Sequence, residues 1–177
     1  VLRLLQETLG EKHPDTLTSL NNLAATYREI GRFADAAPLL EKGLRLTEEI
    51  LGEKHPYTLN SLNNLAGLYS VLGRYADAEQ MIKKELRLKR EVFGEKHPDT
   101  LYALNNLASI YTVQGHYSDA EPLYKKGLRL RQEVLGEMHP NTLISLKNLA
   151  VLYQSQEKYA EAEINWRKYL RQSNTFL

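Results

Sequence analysis

Histidine is a common metal ligand, and four of the five histidines of this 177-residue chain recur at a spacing of 42 residues. They are His13, His55, His97 and His139, and each is followed by proline. Helices packed side by side lie about 8–10 Å apart, whereas zinc needs its ligands about 2 Å away. One histidine per repeat is therefore a poor metal site, and we expect no metal and no cofactor. We interpret each histidine as the cap of a helix that begins at the proline.

A second recurring group can hydrogen-bond to a ligand. The segment LNNLA occupies residues 20–24, 62–66 and 104–108, and it becomes LKNLA at residues 146–150. An asparagine side chain offers two donors and an acceptor, which match both polar groups of an extended peptide backbone. A recurring asparagine can instead bond to backbone in the adjacent repeat. We favour ligand contact for the first asparagine of each segment and backbone bonding for the second, which is Asn22, Asn64, Asn106 or Asn148.

The other polar residues do not form a catalytic set. The chain has no cysteine, no glycine-rich phosphate loop, no HExxH and no GxSxG motif. Carboxylates such as Asp35, Asp77 and Asp119 recur with the repeat, whereas an active site breaks such symmetry. We therefore expect that the protein is not an enzyme.

The charge balance disfavours nucleic acid and membrane partners. Lys and Arg total 23 against 22 Asp and Glu, a net charge of +1, so no strong field of one sign is available. No apolar run reaches the roughly 18 residues of a membrane-spanning helix, and the first residues, VLRLLQETLG, lack a signal-peptide layout. We expect no nucleic acid partner, no membrane partner and a cytoplasmic location.

Two helices in every repeat must position these residues. Apolar residues at 17, 20, 24 and 27 follow helical spacing, which predicts a helix A from about residue 14 to residue 30. A second apolar stripe predicts a helix B over residues 33–51, closed by Gly52 in the left-handed αL conformation. The predicted fold class is all-α, an α-solenoid of antiparallel helix pairs.

The repeat limits follow from the alignment of the copies. We expect a single solenoid domain in which residues 1–9 are the end of helix B of a truncated preceding repeat. Four repeats then occupy residues 10–51, 52–93, 94–135 and 136–177. The last one has Glu157 in place of the turn glycine and a polar end, so we expect a capping repeat that frays from Arg171 onward.

The pattern L-x-x-L-A-x-x-Y-x-x-x-G-x-[FY]-x-x-A, at residues 20–36, 62–78 and 104–120, resembles the tetratricopeptide repeat (TPR). The 42-residue period, the HPxT opening and LNNLA resemble the repeats of kinesin light chains and nephrocystin-3-like proteins. The resemblance implies a right-handed TPR superhelix that binds a partner's peptide, because kinesin light chains hold cargo adaptors with such arrays. It also implies that the first asparagine of LNNLA faces the ligand.

Helical geometry predicts the groove in which that peptide would lie. In a stacked solenoid the A helices line the concave side, so the A-helix positions turned away from the core form one continuous surface. The lysine of LKNLA makes the end of this surface more basic. The predicted groove residues are Thr18, Asn21, Arg28, Asn60, Asn63, Ser70, Tyr102, Asn105, Ser109, Thr112, Lys147 and Gln154.

One position departs from the pattern within helix B. TPRs usually have a small residue where the copies here read Gly43, Glu85, Gly127 and Tyr169. We expect Glu85 either to loosen the local packing or to turn its charge outward.

Three functions remain open. The leading hypothesis is a non-catalytic scaffold that binds a peptide segment of a protein partner. The second is an architectural spacer that self-associates through the solenoid ends. The third is a sensor array that regulates an enzyme elsewhere in a larger signalling protein.

Overall fold

The computed structural model describes residues 2–173, which form nine α-helices and contain no strand. The helices are α1 (Leu2–Leu9), α2 (Pro14–Glu29), α3 (Phe33–Leu51), α4 (Pro56–Val71), α5 (Tyr75–Phe93), α6 (Pro98–Val113), α7 (Tyr117–Leu135), α8 (Pro140–Ser155) and α9 (Tyr159–Ser173). The predicted helices A and B of the first repeat match α2 and α3 within a residue. Helix α9 continues past Arg171 to Ser173, and the rest of the predicted frayed end, residues 174–177, lies outside the described residues. Within residues 2–173, no helix is both long and apolar enough to cross a membrane.

The helices belong to two compact units, one reaching Val92 and the other starting at Phe93. In the first unit, α2 packs against α1 and α3, and α3 packs against α4. In the second unit, α7 packs against α6 and α8, and α8 packs against α9. The limits of the repeats and the single solenoid domain stay predictions.

Leucine and alanine side chains fill the core of each unit. Leu20, Leu40 and Leu62 are buried in the first unit, and Ala108 and Leu152 are buried in the second. Each buried leucine contributes about 1.5–3 kcal/mol. The apolar stripes of the sequence thus hold the polar face of each helix A outward.

The histidines cap the A helices, as predicted. The Nδ1 atom of His97 accepts a hydrogen bond from the backbone N–H of Asp99 at 3.2 Å, and Pro98 is the first helical residue. The threonine of HPxT adds a second tie, because the Thr100 hydroxyl donates to the carbonyl of Gly94 at 2.8 Å. The same two bonds recur in every copy of the turn.

The glycine after helix B does not adopt the predicted αL conformation. Gly52 has φ +86° and ψ 162°, and Gly136 has φ +88° and ψ 165°. This region of backbone space is essentially restricted to glycine, whereas αL also admits asparagine. The glycine requirement is therefore stricter than the sequence predicts.

The expectation that Glu85 turns its charge outward is wrong. Its side chain is fully buried in α5, and its Oε1 atom lies 2.6 Å from the Nζ atom of Lys89, which is also buried. The two residues are four apart on one helix, so they lie on the same face. The charge is therefore held inside the first unit by an ion pair.

Candidate peptide-binding surface

The predicted groove residues lie on A helices in both units. Those of the first unit are Thr18, Asn21 and Arg28 on α2, with Asn60, Asn63 and Ser70 on α4. Those of the second unit are Tyr102, Asn105, Ser109 and Thr112 on α6, with Lys147 and Gln154 on α8. Thr18, Asn60, Tyr102, Ser109, Lys147 and Gln154 are exposed, and the other six are half-buried. All twelve have accessible surface, and one continuous groove stays a prediction.

An asparagine pair joins α6 and α8 in the second unit. The Nδ2 atom of Asn148 donates to the Oδ1 atom of Asn105 at 2.9 Å. The sequence assigned the Asn148 column to a backbone bond in the adjacent repeat, and for Asn148 this partner is wrong, since the bond goes to a side chain. Because its oxygen is held by Asn148, the Asn105 amide is oriented.

Ser109 and Thr112 are tied to the neighbouring helix. Both hydrogen-bond with the hydroxyl of Tyr124 on α7. Burial raises the pKa of this hydroxyl, and the two hydrogen bonds oppose the rise. The Thr112 hydroxyl also donates to the carbonyl of Ala108 at 2.8 Å. Both side chains are therefore positioned by α7, and Ser109 remains exposed.

In the first unit, α2, α3 and α4 enclose a pocket of about 280 Å³ that we call the first-repeat pocket. Its wall contains Thr18 and Asn21 from the predicted set. The sequence argument missed other wall residues, among them Thr47 and Ile50, which lie on helix B, and Tyr57, which lies at the start of the next helix A. Tyr57 is 67% exposed, and its ring stacks on His55 with centroids 5.5 Å apart.

Lys147 lies at a second pocket, of about 370 Å³, in the second unit. Pro140, Leu143, Ile144 and Tyr169 form the rest of its wall. Tyr169 occupies the position that is Gly43 in the first repeat, so the last repeat carries an aromatic ring beside its basic residue. This combination suits a ligand with an apolar group and a nearby negative charge.

Most charges of helix B are paired. The glutamate of the GE[KM]HP turn lies within 4 Å of a helix B lysine in all four copies, as in Glu53–Lys84 at 2.8 Å. The turn lysine pairs with a glutamate near the end of helix B, as in Lys96–Glu133 at 3.1 Å. Exposed pairs of this kind contribute little stability, about 0–1 kcal/mol each. They nonetheless leave the outer face without a strong field of one sign.

Comparison with known proteins gives one family and several solved structures. Family models described as tetratricopeptide repeat match residues 16–57, 57–133 and 114–173. No curated protein matches the chain in sequence. A crystal structure of a variant of a Podosopora anserina putative kinesin light chain, with nearly identical TPR-like repeats, is similar to 99% of this chain and 82% of that chain, with a TM-score of 0.90 and 25% identity.

Two further structures extend this likeness. Another crystal structure of the Podosopora anserina protein has a TM-score of 0.88 and 25% identity over 99% of this chain and 83% of that chain. BtubC (BKLC) from P. vanneervenii has a TM-score of 0.82 and 24% identity over 93% of this chain and 66% of that chain. The predicted fold class, an all-α solenoid of antiparallel helix pairs, is confirmed.

Proposed function

Because the chain belongs to the tetratricopeptide repeat family, we propose that it is a non-catalytic scaffold that binds a peptide segment of a partner protein on its A helices. The observation that carries the proposal is the oriented Asn105 amide. A side chain held by Asn148 keeps its donors in one direction, so little conformational entropy is lost when a peptide carbonyl binds them.

The composition of the surface supports the same function. Amide and hydroxyl side chains such as Asn60 and Ser109 alternate with exposed apolar ones such as Tyr102 and Ile144. Polar groups of this kind bind a peptide backbone, and apolar ones bind its side chains. The solved neighbours named putative kinesin light chain support a role in holding another protein. A cytoplasmic location is part of this proposal.

A peptide-display experiment tests the function. A random peptide library is selected on the immobilised 177-residue chain, and the enriched peptides are titrated against Asn63→Ala and Asn105→Ala variants. Each lost hydrogen bond is worth about 0.5–1.5 kcal/mol, so the Asn63→Ala/Asn105→Ala double variant should bind roughly 5- to 150-fold more weakly. The melting temperature should fall by only a few degrees, because both residues are half-buried.

Asn165→Ala is the matched control, because it makes the same chemical change on the exposed face of a B helix, α9. It should leave peptide affinity unchanged. If no peptide is enriched, or if the double variant binds as well as the parent chain, the A-helix surface is not the ligand site.

A second candidate function is self-association. Leu4 on α1 is 62% exposed, and Ile164 and Leu170 on α9 are 67% and 52% exposed. These exposed apolar side chains on α1 and α9 support an architectural spacer. Light scattering over a concentration series separates the two functions, because self-association without peptide affinity favours the spacer.

A further inference from the structure

One wall residue of the first-repeat pocket, Thr47, occupies a helix B position that changes along the chain. The position reads Thr47, Lys89 and Arg131 in the first three repeats. Lys89 and Arg131 are both buried, so the second and third repeats place a cationic side chain of their own at this point of the helix pair. Thr47 is short, and its hydroxyl donates to the carbonyl of Leu44 in its own helix at 2.9 Å.

The third repeat shows what this place can hold. The Nη2 atom of Arg131 donates to the carbonyl of Leu101 at 3.0 Å, and its Nη1 atom donates to the hydroxyl of Ser145. The guanidinium therefore spans from α7 to both α6 and α8. We call this set of two acceptors the third-repeat site.

Residues equivalent to both acceptors are present around the first repeat. Leu17 corresponds to Leu101 and lies in the wall of the first-repeat pocket, while Ser61 corresponds to Ser145 and is buried on α4, four residues after the wall residue Tyr57. The Ser61 hydroxyl donates to the carbonyl four residues earlier at 3.0 Å, as the Ser145 hydroxyl does at 3.1 Å. Both hydroxyls thus use their hydrogen within their own helix, which leaves each oxygen able to accept a bond. Gly43 also matches Gly127 of the third repeat, whereas the second repeat has Glu85, which pairs with Lys89.

From this correspondence we propose that the first-repeat pocket binds an arginine side chain of a partner peptide, whose guanidinium takes the place that Arg131 fills in the third repeat. The inference rests on the proposed function, because Thr18 and Asn21 of the peptide surface form part of the same wall.

The rest of the wall suits an arginine. The exposed Tyr57 ring, stacked on His55, offers an aromatic face to a planar guanidinium or to the apolar stem beneath it. Lys12 also borders the pocket, but its ammonium is paired with Glu49 and its charge is thereby balanced. A volume of about 280 Å³ accommodates one side chain and not a folded element.

The test uses two synthetic peptides, acetyl-Gly-Ser-Arg-Ser-Gly-amide and the same peptide with citrulline, which has the shape of arginine without its charge. Each is titrated into the isotopically labelled 177-residue chain, and backbone amide shifts are followed by NMR. The arginine peptide should cause saturable shifts at Thr18, Asn21, Thr47 and Tyr57. The citrulline peptide should bind at least about tenfold more weakly, because it lacks the charge-assisted bonds.

Two variants exchange the residue that distinguishes the repeats. Thr47→Arg should fill the pocket from within and abolish the shifts, whereas Thr47→Ser keeps the hydroxyl and should leave them unchanged. Arg131→Thr should open the third-repeat site and add saturable shifts at Leu101 and Asn105. If a variant fails to fold, the comparison of arginine with citrulline on the parent chain still decides the outcome.

Equal binding of the two peptides, shifts away from the pocket, or an unaffected Thr47→Arg variant would overturn the inference. Peptides selected from the library that depend on Asn63 and Asn105 but show no arginine preference would leave the proposed function standing without it. Arginine binding in the pocket by peptides that do not depend on Asn63 and Asn105 would support the inference and contradict the proposed function.

Discussion

The buried ion pair between Glu85 and Lys89 makes the sharpest stability prediction. Lys89→Thr removes an ion-pair partner of a carboxylate that is 0% exposed, and breaking a buried pair in this way costs about 3–5 kcal/mol. At roughly 2–4 °C per kcal/mol for a chain of this size, the melting temperature should fall by about 6–20 °C. The double variant Glu85→Gly/Lys89→Thr installs the Gly43 and Thr47 pair of the first repeat.

The double variant should lose only about 1–2 kcal/mol, because it buries no charge and pays mainly for a glycine within a helix. Urea unfolding followed by circular dichroism of the parent, the two single variants and the double variant forms a thermodynamic cycle. We expect a coupling free energy of at least about 2 kcal/mol between the two residues. Additive effects, or a Lys89→Thr cost below about 1 kcal/mol, would refute the idea that this pair is what allows a glutamate in the core.

Three further predictions concern single residues. Burial and the hydrogen bond to Glu41 raise the pKa of Tyr69 to about 12. The contribution of the protonated Tyr69 hydroxyl to the free energy of unfolding is therefore complete below about pH 10 and is lost as the pH rises from about 10 to 12. Tyr69→Phe should flatten this loss in pH-dependent unfolding. Glu157 has φ +59°, the only positive φ at a non-glycine residue within the described part of the chain, so Glu157→Gly should stabilise the fold by about 1 kcal/mol in urea unfolding, and an unchanged midpoint would contradict this. Gly136→Ala should cost about 1–3 kcal/mol through backbone strain alone, because no neighbouring atom lies within 4 Å of the added Cβ. The control Gly67→Ala is equally open but lies within α4, so it should stabilise the protein by about 0.5–1 kcal/mol. Equal effects of the two substitutions on the melting temperature would count against the strain.

The local structure was predictable because its causes are local. The cap of His97 spans two residues, and the helix stripes repeat at three and four residues. The strict spacing of the turn then repeats the same cap in every copy. The αL assignment of Gly52 failed because the sequence shows that a glycine is needed but not the value of ψ, which depends on how Thr58 ties the next helix to the turn.

The candidate site was predictable only as a set of positions. Helical geometry identifies the A-helix faces, and the structure leaves all twelve predicted residues with accessible surface. Helical geometry does not identify the wall of the first-repeat pocket, because Ile50 belongs to helix B and Tyr57 to the start of the next helix A. One signal was available in the sequence: the column of Thr47, Lys89 and Arg131 changes character while its neighbours repeat.

The sequence by itself determined the family, the helix pairs and their caps, since these depend on residue types at short fixed spacings. Only the tertiary structure decided which long side chains are buried and what they bind. Arg131 reaches a carbonyl 30 residues earlier, and Asn148 reaches an amide 43 residues earlier. The physical reason is that the tip of a long side chain is placed by the neighbouring helices, whose separation and rotation are set by packing and not by the local repeat.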